Sequence, residues 1–184
     1  MIRTFDSLGV EYVIGGSIAS SIYGIPRATQ DVDVIADLRE EHIPAFVAAL
    51  RDDFYLDEPA VRDAVRRRST FNVIHLHTMF KVDVFVAKDD AATTQELARG
   101  QPYVPPEIPD ARIALASPED VVVQKLYWYR PGDHVSERQW TEAIQVLKVR
   151  GTALDQGYMQ ELARTMNVED LLQRALRDAG LAPT

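Results

Sequence analysis

The segment 12–36 reads YVIGGSIASSIYGIPRATQDVDVIA, and its order of patterns decides the fold. A short apolar run at 11–14 leads into two glycines and Ser17, and a second apolar run, DVDVIA, follows at 31–36. Apolar and polar residues alternate in this second run, which predicts a half-buried strand. Successive side chains of a strand point to opposite faces, so Asp31 and Asp33 are predicted to share one face.

The composition is that of a globular protein and excludes several classes of function. The chain has 184 residues, of which 46% are hydrophobic and 26% charged, and its net charge of −8 argues against a DNA-coating role. The absence of cysteine excludes disulfides, thiolate metal sites and cysteine nucleophiles. We expect no membrane span and, since the N-terminus lacks signal-peptide architecture, a cytoplasmic location.

The first part of the chain alternates between strand and helix patterns. Strands are predicted at 11–14, 31–36 and 111–115, and a hairpin at 71–77 and 80–87. Helices are predicted at 2–8, 17–23, 38–53 and 58–69, and the proline-rich stretch 101–110 is predicted to be a loop. Residues 1–115 are therefore predicted to form a mixed α/β core.

The second part of the chain has only helix patterns. Ser117 followed by Pro118 is typical of a helix start, since serine caps and proline suits the first helical position. Helices are predicted at 117–130, 135–149, 155–165 and 167–179. We therefore expect residues 116–184 to form a helical subdomain packed on the core, giving an α/β (α+β) fold: a mixed sheet with flanking helices, then a C-terminal helical subdomain.

Three acids occupy strands that otherwise read as apolar. Asp31 and Asp33 share a face of one strand, and Asp83 lies in the strand KVDVFV with Lys81 on the same face. Ionised carboxylates this close repel each other unless a cation or water screens them. Oxygen ligands suit a hard divalent ion, so the pattern predicts a site for Mg²⁺ or Mn²⁺.

A glycine turn precedes this strand and has its own chemistry. Gly15, Gly16 and Ser17 lie between a predicted strand and a predicted helix. Glycines let the backbone approach a phosphate closely, amides at a helix start attract anions, and serine adds a hydroxyl donor. Taken singly, this triplet also fits an ordinary turn and each acid an exposed strand position. Together they predict a nucleotide bound with its metal ion.

These motifs resemble those of a known superfamily. GGS, thirteen intervening residues, DVDV and a later acid in a hydrophobic strand resemble the DNA polymerase beta-like nucleotidyltransferases. The segment RATQDVDV is most similar to the AbiEii-type, toxin-related and minimal nucleotidyltransferases, and the segments 117–133 and 137–147 resemble the helix pair that follows the core in that group.

The resemblance implies an activity and a role for each motif. A nucleoside monophosphate would move from an NTP to an acceptor hydroxyl, and pyrophosphate would leave. Gly15, Gly16 and Ser17 would bind the triphosphate. Asp31, Asp33 and Asp83 would hold the metal, and Asp83 would also help to deprotonate the acceptor. Further phosphate contacts would come from three cations: Arg27, Lys81 and Lys125.

Alternatives remain open at several residues. Arg27 could instead pair with one of the two aspartates, and Lys125 could extend its ammonium into water from an apolar helix. His75 and His77 share a strand face but lack a third metal ligand. The arginines between 62 and 68 form a basic patch that suits either an RNA acceptor or a solvated helix face.

Three functions fit the pattern. The first is a metal-dependent nucleotidyltransferase that modifies RNA, protein or a small molecule; a toxin-like member with an antitoxin partner is one form that it could take. The second is a catalytically silent binding or antitoxin-like module with the same fold. The third is an antibiotic-modifying nucleotidyltransferase. The sequence leaves the acceptor, the preferred base and the oligomeric state open.

Overall fold

A computed structural model describes residues 1–130 and 137–181 of the chain. Contacts between α-carbons divide it into two compact units. The first unit consists of residues 1–15 and 29–115, and the second of residues 16–28 and 116–184. The segment 16–28 therefore groups with the C-terminal helices, although it precedes most of the sheet in sequence.

The first unit contains a seven-stranded mixed sheet with the order β3-β4-β5-β2-β1-β7-β6. Strands β2 and β5 are parallel neighbours at its centre, β1 pairs with β2 antiparallel, and β4 pairs with β5 antiparallel. The strands are β1 (Tyr12–Ile14), β2 (Asp31–Ala36), β3 (Phe54–Tyr55), β4 (Thr70–His75), β5 (Lys81–Val86), β6 (Gln101–Tyr103) and β7 (Ile113–Leu115).

One face of this sheet is apolar and forms the core of the first unit. Alternate residues of the central strands, such as Val34 and Val84, are fully buried there. Aromatic side chains from the flanking helices complete the core, because the rings of Phe5 and Phe46 stack 5.5 Å apart and Phe46 meets Phe71 edge-on. The helices of this unit are α1 (Ile2–Leu8), α3 (Ile43–Leu50), α4 (Glu58–Arg67) and α5 (Ala91–Ala98).

The second unit is helical. Its helices are α2 (Gly16–Tyr23), α6 (Pro118–Tyr129), α7 (Glu137–Arg150), α8 (Gln156–Thr165) and α9 (Glu169–Ala179). Helix α6 begins as its sequence predicts, because the side chain of Ser117 accepts a hydrogen bond from the amide of Asp120. Helix α2 packs against both α6 and α7, and a Cβ at Gly24 would lie 2.9 Å from the carbonyl oxygen of Ser20.

The predicted elements are confirmed in type, and the differences have local causes. The predicted helix 38–53 begins as a 3-10 turn, Glu40–His42, and ends at Leu50, while Pro44 lies in the first turn of α3. The interpretation of 101–110 as a loop is wrong at its start, since Gln101–Tyr103 pairs with β7 at the sheet edge, where proline is tolerated. Residues 135 and 136 of a predicted helix lie outside the described residues.

The sequence analysis missed β3, α5, β6 and the 3-10 turn Gly151–Ala153. Strands of two or three residues are too short for alternation to be read, and α5 has little apolar face of its own. Within residues 1–130 and 137–181, none of the helices has the length and apolar character that a bilayer span requires.

Candidate functional site

The three aspartates lie on the polar face of the central sheet. In the parallel ladder of β2 and β5, Asp31 is the register partner of Lys81, and Asp33 is that of Asp83. Neighbouring strands lie about 4.8 Å apart, and register partners project from the same face. The two-residue period of each strand places Asp31 and Asp33 together, so the predicted sharing of one face is realised across two strands.

Lys81 provides the cation on this face. Its Nζ lies 2.7 Å from Oδ2 of Asp83, and the side chain is 43% exposed. The hydrogen bond that Lys81 donates to Asp83 raises the pKa of Lys81, burial opposes this rise, and the charges of Asp83, Asp31 and Asp33 add to it. The charges of all three carboxylates therefore act on Lys81, which agrees with their position on one face of the sheet.

The carboxylate oxygens are suitable ligands for a divalent ion, but they are not arranged as a complete coordination site. Over residues 1–130 and 137–181, no group of three or more Asp, Glu, His or Cys is arranged closely enough to hold a metal ion. One oxygen of Asp31 accepts a hydrogen bond from Thr29 at 2.7 Å, and one of Asp83 is held by Lys81. Hard oxygen donors at adjacent register positions suit Mg²⁺ or Mn²⁺ if the ammonium of Lys81 moves away from Asp83.

The glycine turn joins β1 to α2. The amide of Gly15 donates to the carbonyl oxygen of Asp33 at 2.9 Å, which extends the pairing of β1 with β2 by one residue. Gly16 begins α2 with a φ of 55°, in the left-handed region that favours glycine. The second glycine of the motif is thus required by the backbone conformation.

Ser17 and two of the predicted phosphate-binding cations converge on Glu142, within the second unit. Oε1 of Glu142 accepts from Nε of Arg27 at 2.6 Å, and Oε2 lies 2.6 Å from Nζ of Lys125. The hydroxyls of Ser20 and Ser17 donate to Oε2 at 2.9 and 3.4 Å. Arg27 also donates from Nη2 to Oγ of Ser17 at 2.6 Å. We call these five residues the Glu142 network.

The carboxylate of Glu142 is charged despite its burial. Burial acts to raise its pKa, but the hydrogen bond and charge of Lys125 and the hydrogen bonds of Ser20 and Arg27 outweigh it, so that the pKa falls below its usual value. The side chains of Lys125 and Glu142 are 6% and 5% exposed, so each charge needs the other. With two cations and one carboxylate, the network carries a net positive charge.

The network decides two alternatives that the sequence left open. Lys125 does not extend into water, because its ammonium is buried against Glu142. Arg27 pairs with Glu142 at 2.6 Å, so the acid that it binds in the second unit is one that the sequence analysis did not consider.

Glu142 was missed by the sequence analysis. A signal was present, since Glu142 directly precedes Ala143 and shares its buried face with Val146, one turn further on. A lone acid on an apolar helix face is the same kind of conflict that marked the strand aspartates.

The other polar clusters have local partners. Nδ1 of His75 lies 2.8 Å from the hydroxyl of Thr78, and the ring of His77 is 5.9 Å from that of His75. The arginines of the basic patch all have acidic partners: Arg62 pairs with Glu58, Arg66 and Arg67 with Asp63, and Arg68 with Asp37 and Asp89. This patch is a neutralised surface, which weakens it as an RNA contact.

Comparison with known proteins gives similar structures but no similar sequence. No protein-family model and no curated protein matches the chain. A crystal structure of an antigenic nucleotidyltransferase-like protein from Paracoccidioides brasiliensis matches with a TM-score of 0.52 and 18% identity, over 96% of this chain and 88% of that one.

Two structures of the antibiotic-resistance factor ANT(2'')-Ia also match. Its solution structure gives a TM-score of 0.51 at 16% identity, over 96% of this chain and 92% of that one. A crystal structure with adenylyl-2''-tobramycin gives 0.51 at 17% identity, over 90% and 91%. At such identities the likeness establishes the fold alone, and the predicted nucleotidyltransferase-type mixed sheet is confirmed.

Proposed function

We propose that the chain is a metal-dependent nucleotidyltransferase that moves a nucleoside monophosphate from an NTP to an acceptor hydroxyl. The observation that carries the proposal is the register of β2 and β5, which sets Asp33 beside Asp83 and Asp31 beside Lys81. The glycine turn before α2 and the nucleotidyltransferase-like fold support it. Like charges at neighbouring register positions repel one another, so the three acids on this face call for a functional reason.

The proposed reaction is an in-line substitution at the α-phosphorus of the NTP. Asp83 takes the proton of the acceptor hydroxyl, whose oxygen bonds to phosphorus while the bond to the β-phosphate oxygen breaks and pyrophosphate leaves with the electron pair. Asp31, Asp33 and Asp83 would hold Mg²⁺ or Mn²⁺, which neutralises phosphate charge when bound. Gly15, Gly16 and Ser17, with three cations, would orient the triphosphate: Arg27, Lys81 and Lys125.

For the acceptor, we favour a small hydroxylated molecule over RNA. The arginines of α4 are occupied by acids, so this face offers little unpaired positive charge to a polyanion. The net charge of −8 points the same way and suits a cationic acceptor. The AbiEii-type toxin role and a cognate antitoxin are finer predictions, which growth arrest on expression of the chain would support.

Transfer assays test the proposed activity. The protein is incubated with Mg²⁺, each of the four NTPs labelled at the α-phosphate, and acceptor panels of cell RNA, cell protein and polycationic aminoglycosides. We expect label transfer by the wild type and a loss of about a thousandfold in the Asp31→Asn plus Asp33→Asn variant. The matched control is Asp52→Asn, an exposed acid of the same unit, which should transfer normally. Equal activity of all three proteins would contradict the proposal.

A catalytically silent binding module is the second candidate. The ion pair between Lys81 and Asp83 favours it, because a protein cation already neutralises the carboxylate that the metal needs. Calorimetry with NTP separates the two functions. A silent module binds NTP equally with and without Mg²⁺, or does not bind it, whereas the enzyme binds more tightly with Mg²⁺.

A further inference from the structure

The Glu142 network has properties that an ordinary buried ion pair lacks. Two cations, Arg27 and Lys125, share one carboxylate, so one positive charge is left without a counter-charge in the network. The second cation, Arg27, is 32% exposed, so the excess charge faces water rather than a buried counter-charge. An anion from solvent can pair with this charge, whereas the buried pair of Lys125 and Glu142 is already balanced.

Donors remain on both cations after their protein contacts are counted. Among the described residues, Arg27 donates from Nε to Glu142, from Nη1 to the carbonyl of Ala28 and from Nη2 to Ser17. A guanidinium has five N–H donors and an ammonium has three, so these bonds use only part of the set. Arg27 is 32% exposed, so its remaining donors have access to a ligand from solvent.

The hydroxyl of Ser17 is held firmly as an acceptor and weakly as a donor. Its oxygen accepts from Arg27 at 2.6 Å, whereas its proton points to Glu142 over 3.4 Å. Strong bonds between hydroxyl and carboxylate oxygens are about 2.5 to 2.7 Å long. The proton can therefore turn to a better acceptor, such as a phosphate oxygen, while Arg27 keeps the oxygen in place.

We infer that Glu142 is a positioning residue for a polyphosphate: it fixes Arg27, Lys125 and Ser17 as one anion-binding set and weakens that set enough for product release. The inference rests on the proposed function and goes beyond it by naming the residue that governs the triphosphate contacts. Glu142 accepts hydrogen bonds from Arg27, Ser20 and Ser17 and pairs with Lys125, so it would act on a ligand through these residues.

The inference predicts that affinity and turnover change in opposite directions. In the Glu142→Gln variant the network gains one net positive charge, so a polyphosphate should bind about threefold more tightly or better. The amide holds the cations less firmly, so the transfer rate should fall roughly tenfold to a hundredfold. A purely structural role would lower affinity and turnover together, along with the melting temperature.

The test uses the full chain and two probes. Calorimetry with inorganic tripolyphosphate in the presence of a chelator reports anion binding without metal or chemistry. Pyrophosphate release from saturating NTP with Mg²⁺ reports turnover, and thermal unfolding reports folding. The matched control is Glu137→Gln, which makes the same change at an exposed position of the same helix and should leave all three measurements unchanged.

A third variant, Glu142→Asp, keeps the negative charge and shortens the side chain by a methylene group. Its tripolyphosphate affinity should stay within about twofold of the wild type while its turnover falls, because charge sets the affinity and reach sets the alignment. This variant carries the test if Glu142→Gln does not fold.

Each outcome decides between the inference and the proposed function. Unchanged affinity and turnover in Glu142→Gln, or a loss of both, overturns the inference, as does a wild type that binds no tripolyphosphate. If the wild type binds tripolyphosphate and Glu142→Gln tightens it, but no NTP is turned over, the proposed function fails and the anion-binding set stands.

Discussion

The polar face of the sheet and the Glu142 network solve opposite electrostatic problems. On the sheet, three carboxylates share a face with one cation, Lys81, and backbone register holds them there. In the network, one carboxylate serves two cations and is held by side-chain contacts. The first arrangement has an excess of negative charge and suits a cation, and the second has an excess of positive charge and suits an anion.

The two regions also differ in how much their charged residues contribute to the stability of the fold. Charges that a strand ladder holds apart from the core can be removed at little cost to folding. A buried carboxylate that neutralises two cations cannot, because its removal leaves charge in a medium of low polarity. The same kind of residue is therefore expected to behave differently under mutation in the two regions.

The largest expected effect is that of Glu142→Leu. The change leaves the buried ammonium of Lys125 without its partner, so we expect the free energy of unfolding to fall by about 3–5 kcal/mol. Denaturant unfolding measures this, and the double variant with Lys125→Met, which removes both buried charges, should regain part of the loss. A loss below about 1 kcal/mol would show that the pair is not as buried as the structure has it.

Tyr23→Phe is expected to stabilise the second unit. Among the described residues, the buried hydroxyl of Tyr23 has no hydrogen-bond partner, while the guanidinium of Arg150 lies over its ring at 4.7 Å. Removing an unsatisfied buried hydroxyl should raise the free energy of unfolding by about 1–2 kcal/mol, and the cation–π contact is kept. A destabilised variant would indicate a hydrogen bond to this hydroxyl in solution.

The same residue gives a pH dependence. Burial, with the charges of Glu119 and Asp120, raises the pKa of Tyr23 to about 12 against the lowering effect of Arg150. A raised folded pKa favours folding of the neutral phenol, so its contribution is present below pH 10 and is lost as the pH rises towards 12. Denaturant midpoints across this range should fall more in the wild type than in Tyr23→Phe.

Asp33→Asn is expected to have a small effect of the opposite sign to Glu142→Leu. It removes one of the like charges on the sheet and keeps an amide oxygen as acceptor, so metal-free stability should rise by about 0.5–1 kcal/mol. Millimolar Mg²⁺ should raise the melting temperature of the wild type and leave that of the variant unchanged, because the metal loses a ligand. An equal Mg²⁺ response in both proteins would break the assignment of a metal to this face.

An effect as small as that of Asp33→Asn is expected at Asp37, the residue after β2. Hydrogen bonding to Arg39 lowers the pKa of Asp37 below its usual value of 3.8, against a smaller effect of burial, and Arg68 contributes to the lowering. A lowered folded pKa stabilises the fold above pH 3.8, and this contribution is lost as the pH falls through the folded pKa. Asp37→Asn should cost about 0.5–1 kcal/mol at neutral pH and flatten the acid limb of the stability curve.

The sheet could be predicted from sequence because its signals are local. Alternation in DVDVIA and KVDVFV determines which residues face together, and the glycine pair reports a backbone conformation that other residues avoid. The short edge strands could not be predicted, since two or three residues carry no period. The same alternation predicts that Asp31 and Asp33 share a face, and their role in a site stays a prediction.

The Glu142 network could be predicted only in part. Arg27 and Lys125 stood out as cations near the motifs, but their common partner lies in a helix that the sequence marks only as amphipathic. Arg27 and Glu142 are 115 positions apart, and no spacing rule connects them. Glu142 on the buried face of α7 indicates that a partner is required, but the sequence does not show which residue that partner is.

The sequence by itself determined most of the elements, the strand faces and the presence of three acids in otherwise apolar strands. Tertiary structure decided that β2 and β5 are parallel neighbours, and that Arg27, Lys125 and Ser17 share one buried carboxylate. The physical reason is range. Backbone periodicity acts between neighbouring residues, whereas charge compensation in a buried site depends on which distant segments folding brings within hydrogen-bond distance.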